Sequence, residues 1–142
     1  MNDTDYTLAM NPNALVQYFG KPAHLLTRED IIAFIVAKQI RMVNFRYAGE
    51  DGRLKTLSFV INNRQHLEEL FSCGERVDGS SLFSYVEAGS SDLYVIPRFK
   101  TAFLNPFTDE PTLDILCSFY NIAGEPLASD PGYILRKAAA LF

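Results

Sequence analysis

Four consecutive residues, Asp78-Gly79-Ser80-Ser81, form the one dense polar constellation in this chain, and the charged pair Glu75-Arg76 precedes them. Gly79 is expected to take a positive φ, which would leave the Asp78 carboxylate projecting and the Ser80 and Ser81 hydroxyls free to donate. Standing alone, the string reads as a surface turn, since Asp, Gly and Ser form turns for local reasons, and a second run, Gly89-Ser90-Ser91, keeps that reading open. Little else offers chemistry. The sequence contains no G-x-x-x-x-G-K-[ST], G-x-G-x-x-G, G-x-S-x-G or H-E-x-x-H pattern. His24 and His66 have no second ligand at helical spacing, so no metal site is expected. Cys73 and Cys117 stand too far apart for a zinc knuckle or a redox pair; both are expected to be reduced, with Cys117 in the core.

The elements that position this constellation belong to a chain of 142 residues, 48% of them hydrophobic. That length and composition support one substantial core and exclude extensive disorder. Thirteen basic against 17 acidic residues give a net charge of −4 with no long run of either sign. The basic face that nucleic acid would require is missing. No stretch approaches the ~18 apolar residues of a membrane span, and the polar, acidic Met1-Asn2-Asp3-Thr4-Asp5 is unlike a signal peptide. A cytoplasmic protein is expected.

Residues 1–26 read as a polar arm with one apolar cluster, Ala14 to Phe19, stopped by Gly20 and Pro22. Thr27 is an N-cap candidate for a helix over Arg28–Gln39, with Ile31, Ile32, Phe34 and Ile35 as its apolar stripe. Met42, Phe45 and Tyr47, the turn Gly49-Glu50-Asp51-Gly52, and Leu54, Leu57, Phe59 and Ile61 spell a hairpin. Asn62-Asn63 then begins a short helix through Leu67, Leu70 and Phe71 that Gly74 ends. Glu75–Ser91 reads as a long Gly/Ser-rich loop of the kind that carries function. Strands are expected at Leu93–Pro97, Thr101–Leu104 and Leu113–Tyr120, and a helix follows Pro131. Hairpin, helix and further strands, in that order, predict an α+β fold, a β-grasp-like mixed sheet with a helix on one face.

Several separated strings, in order, resemble the N-terminal domain of glutamine synthetase: Leu26-Thr27-Arg28-Glu29-Asp30-Ile31, Asp78-Gly79-Ser80-Ser81, Ser91-Asp92-Leu93, Ile96-Pro97, Asn105-Pro106-Phe107 and Asp130-Pro131. The resemblance runs from about Thr27 to Phe142. It implies an arm at 1–26, a β-grasp domain at 27–128, and at 129–142 the start of a helix leading into a catalytic domain beyond Phe142. In that family the small domain's loop enters the active site of a neighbouring subunit in a ring assembly. The catalytic domain there holds ATP, Mg or Mn, and glutamate. Glutamate is phosphorylated and ammonia attacks the acyl phosphate. Asp78 matches the aspartate that binds ammonium and removes its proton, and Ser81 a serine close by; Ser80 and Gly79 would support the loop. The isolated chain is expected to be inactive and to bind neither cofactor nor metal.

Two departures accompany the resemblance. The position after Pro97, often acidic in relatives, is Arg98, followed by Phe99 and Lys100; the segment after Ser81 is Leu82-Phe83-Ser84-Tyr85 in a chain without tryptophan. These keep open a glutamate ligase that uses another amine, a stand-alone or degenerate β-grasp binding module, and an unrelated ubiquitin-like interaction domain. Phe99, Phe103 and Phe107 read as core or interface aromatics, with core favoured, His66 as exposed, and Arg41 and Arg46 as solvated or ion-paired, with a subunit contact as the lesser alternative.

Overall fold

The computed structural model describes residues 8–84 and 92–142. Its framework is a mixed sheet. β1 (Met42–Ala48) and β2 (Leu54–Val60) form the expected hairpin, with Phe45 opposite Leu57 and Tyr47 opposite Lys55. β6 (Thr112–Tyr120) runs parallel to β1, with Phe45 level with Ile115. β6 is long enough to serve several partners. Its other side is taken first by the two-residue β5 (Phe103–Leu104) and then by β4 (Asp92–Pro97), while β3 (Glu75–Asp78) pairs with β4 at the margin. The order is β2-β1-β6-β4-β3, with β5 beside β6 off that path, the mixed α+β architecture of a β-grasp domain.

Strict alternation in β1 sends Val43, Phe45 and Tyr47 to one face, and β6 contributes Leu113, Ile115, Cys117 and Phe119 to the same core. Two helices supply the other half. α2 (Arg28–Ala37) begins with a capping box: the Thr27 hydroxyl accepts from the Asp30 N–H at 3.2 Å, and the Asp30 carboxylate accepts from the Thr27 N–H at 2.9 Å. It ends two residues earlier than the sequence predicts. Gln39 adopts the left-handed conformation at φ 53°, and Ile40 N–H donates to the Ile35 carbonyl at 3.0 Å while Gln39 N–H donates to Val36, a Schellman closure that buries Ile40. α3 (Arg64–Cys73), capped by Asn63, packs Leu67, Leu70 and Phe71 into the core. His66 is half-buried rather than exposed, next to Leu67, the first buried residue of α3.

α1 (Ala14–Phe19) is held to this body. Leu15 and Val16 are fully buried, Tyr18 meets Phe34 edge-on at 5.4 Å, and the Asn13 amide donates to the Ala102 carbonyl at 3.0 Å. The C-terminal α5 (Pro131–Ala139) starts from Asp130, whose buried carboxylate accepts from the N–H groups of Gly132 at 3.0 Å and Phe119 at 3.4 Å.

Two expectations from sequence fail in the segment between β4 and β6. The strand foreseen over Thr101–Leu104 is a 3-10 turn at Phe99–Thr101 followed by β5. The Thr101 hydroxyl donates to the Arg98 carbonyl at 2.6 Å and accepts from the Leu116 N–H at 2.9 Å, giving the backbone a local alternative to the ladder. Of the three core aromatics, only Phe99 is half-buried, edge-on to Phe71 at 5.5 Å. Phe103 is exposed, and Phe107 is 94% exposed because Asn105, whose side-chain oxygen accepts from the Phe107 N–H, turns it out into solvent.

Candidate functional site

Glu75–Ser91 is not the structureless loop that its composition suggests. Its first half is β3 followed by a single helical turn, α4 (Gly79–Leu82); Tyr85 and Gly89-Ser90-Ser91 lie outside the described residues. Only Val77 in β3 is apolar, so four residues carry too little alternation to announce a strand, and pairing with β4 creates it. Asp78 is where the two short elements meet. It is the last residue of β3 and the N-cap of α4.

The cap fixes the carboxylate. Asp78 Oδ1 accepts from the Ser80 N–H at 3.0 Å and the Ser80 hydroxyl at 2.7 Å, and Oδ2 accepts from the Ser81 hydroxyl at 3.2 Å. The serine hydroxyls are therefore engaged with Asp78 rather than free. Gly79 does not take the expected positive φ either; it opens the helical turn. The positive φ belongs instead to Gly74, just before the segment, at 70°. A Cβ on Gly74 would stand 2.5 Å from the Val95 carbonyl oxygen, so only glycine lets the chain leave α3 and enter β3 this close to β4.

Three further contacts hold the segment. Asp92 lies directly opposite Asp78 in the β3–β4 register, an unfavourable pairing of like charges. Arg76, two residues earlier on the same face, offsets it by donating Nη2 to Asp92 Oδ2 at 2.6 Å. Past α4, Phe83 is fully buried, with its ring edge-on to Phe119 at 5.2 Å and to Tyr47 at 6.0 Å. Ser84 then donates its N–H at 3.2 Å and its hydroxyl at 2.8 Å to Glu50, in the turn between β1 and β2. The Asp78 turn is thus clamped between a glycine crossing and an aromatic plug, while Asp78 and Ser81 themselves remain exposed.

Phe83 and Glu50 are the residues sequence reasoning missed. Phe83 had a signal, as a large apolar side chain amid glycine and serine. Glu50 had none, because it acts across 34 positions of sequence. Arg98 stands beyond the other end of β4, six residues from Asp92 and so roughly 20 Å from the Asp78 turn at strand rise. Among the described residues no group of three or more His, Cys, Asp or Glu side chains gathers that could hold a metal ion, and no helix is long and apolar enough to cross a membrane.

Comparison with known proteins bears on what this arrangement serves. Residues 39–122 match the family described as "Glutamine synthetase, beta-Grasp domain". The chain is 30% identical over 115 residues to glutamine synthetase of Azorhizobium caulinodans, covering 80% of this chain and 24% of that protein. It is also 30% identical over 113 residues to glutamine synthetase of Aquifex aeolicus, covering 79% and 24%. Plasmodium falciparum glutamine synthetase, solved by cryoEM, shares the fold with a TM-score of 0.67 at 19% identity, over 81% of this chain and 22% of that one. The chain spans about a quarter of the length of the curated relatives it matches.

Proposed function

The chain belongs to the glutamine synthetase β-grasp domain family, and from that premise we propose that it is the N-terminal domain of an ATP-dependent glutamate–ammonia ligase that lends its Asp78 turn to a neighbouring subunit's active site. Glutamate, ammonia and ATP are the substrates, and the working form is a cytoplasmic homo-oligomeric ring. In this reading ATP and Mg or Mn belong to the catalytic domain.

Asp78 does the chemistry assigned to this chain. Ammonium has no lone pair until it loses a proton, so the nucleophile must be both attracted as a cation and deprotonated. A carboxylate does both, where an amide at the same position would hydrogen-bond without accepting the proton. Ser80 and Ser81 aim that carboxylate, and Ser81, exposed beside it, is placed to bond the incoming nitrogen as well. Alone, the domain has a proton acceptor and no electrophile, so it is inactive. The observation that supports the reading is the exposed Asp78 carboxylate, capped and oriented by Ser80 and Ser81 at the margin of the sheet.

In the full-length protein, Asp78→Asn is expected to lower glutamine formation at least about 100-fold, the range of a lost general base, while ATP binding measured by calorimetry is unchanged. Retention of full turnover would refute the assignment.

A further inference from the structure

The two serines bonded to the Asp78 carboxylate both belong to α4, a single turn of four residues. A helix this short has no cooperative stability of its own, because a first turn fixes several residues for one hydrogen bond. Its direction is therefore set by whatever holds its two ends. The N-terminal end is built into the sheet, since Asp78 closes β3 and pairs with Asp92 of β4. The C-terminal end has no strand to join; the Phe83 N–H closes the turn on the Gly79 carbonyl at 2.8 Å, and Ser84 follows.

That second end is fixed from β1 and the turn after it. Tyr47 meets the Phe83 ring edge-on at 6.0 Å. Glu50, three residues later, accepts from both the N–H of Ser84 at 3.2 Å and its hydroxyl at 2.8 Å, through the same oxygen, Oε2. Consecutive residues of the segment thus rest on one short stretch of the hairpin. The hairpin turn is in turn pinned by its own backbone. Gly49 N–H donates to the Arg53 carbonyl at 2.8 Å, Gly52 N–H to the Gly49 carbonyl at 3.0 Å, and Arg53 N–H to Asp51 Oδ1 at 3.1 Å. Glu50 itself is exposed, so no core packing accounts for a side chain there that reaches across 34 positions to Ser84.

We propose that Glu50 is a positioning residue for the ligase reaction: by holding Ser84 it fixes the C-terminal end of α4, and with it the direction in which Ser80 and Ser81 aim the Asp78 carboxylate. This rests on the reading of Asp78 as the proton acceptor. Glu50 touches no reacting atom, and its influence passes through Ser84 and the α4 turn. Proton transfer needs the acceptor within hydrogen-bond reach of the ammonium, so a carboxylate that swings with a frayed turn loses rate steeply.

In the full-length protein, Glu50→Ala is expected to lower kcat for glutamine formation about tenfold, with the KM for glutamate and the melting temperature nearly unchanged. Glu50→Gln, which keeps an acceptor for Ser84 but no charge, should stay within about twofold of the unsubstituted protein. A double variant supplies the readout that a merely structural role would not move: added to Asp78→Asn, Glu50→Ala should cost nothing further, because no base is left to aim. The same loss in both backgrounds, a glutamine variant as impaired as the alanine one, or full turnover of Glu50→Ala beside a crippled Asp78→Asn overturns the role given to Glu50. Full turnover of Asp78→Asn instead overturns the ligase reading, and the role of Glu50 with it.

Discussion

β1 and β6 lie side by side in the middle of the sheet, and β3 with the Asp78 turn lies at its margin; the two regions are held by different means. The middle is secured by continuous burial on the core face and, on the other face, by a polar knot. Asp114, 1% exposed, accepts from Arg46 at 3.0 Å, Asn44 at 2.9 Å and Asn105 at 3.2 Å, and Asn44 in turn accepts from Ser58 at 2.8 Å. Asp114 gathers three side chains, and Asn44 ties it to Ser58 on β2. The margin instead relies on separate point anchors: the Gly74 crossing, the Arg76–Asp92 bridge, the Phe83 plug and the Glu50–Ser84 clamp. Spreading the support this way leaves Asp78 exposed while its turn is held in place, which a buried central strand cannot do.

Paired substitutions test that contrast. Phe45→Ala, in the middle, should lower global stability by about 3–5 kcal/mol in urea unfolding, the usual cost of truncating a fully buried phenylalanine. Phe83→Ala removes an equally buried ring, but the loss is limited by the cost of releasing only the marginal segment, so roughly 1–3 kcal/mol is expected. Hydrogen exchange should quicken over 79–84 while β1 stays protected. Equal global losses from both would erase the distinction. Glu50→Gln leaves an acceptor for Ser84 and should cost under about 1 kcal/mol.

Smaller effects mark other points of the same contrast. The Cys117 thiol, pushed up to about 12 by burial, with Asp130 adding to it, should resist alkylation at pH 8, while exposed Cys73 reacts, so mass spectrometry should find one label on the native protein and two on the unfolded one. Burial raises the Asp30 carboxyl, but the salt bridge to Lys21 and the donors of Thr27 outweigh it, and the net pKa lies below the ordinary carboxylate value. A depressed folded-state value stabilises the protein above the ordinary carboxylate pKa, and this contribution is lost as pH falls through the lowered one. Asp30→Asn should remove that part of the acid sensitivity from the pH profile of the melting temperature.

How far the sequence could be read follows the same division. Alternation in β1, the Thr27 capping box and the Gly74 stop are local signals, and each names its element. The margin has no comparable code: β3 exists because β4 pairs with it, and Glu50 acts only once the hairpin turn lies over Ser84. At Asp78 the residue type was legible and its setting was not. The hydroxyls expected to be free are the ones that orient the carboxylate. Phe107 was misjudged because apolarity alone does not reveal the Asn105 turn that ejects it.

The central claim is that Asp78 serves a site completed by another subunit. Full-length subunits carrying Asp78→Asn, mixed and reassembled with full-length subunits inactivated in the catalytic domain, test it most directly. Glutamine formation should reappear in the mixed assemblies although neither parent is active, because an intact Asp78 turn then meets an intact catalytic domain across a subunit boundary. Mixed assemblies as inactive as their parents would contradict it.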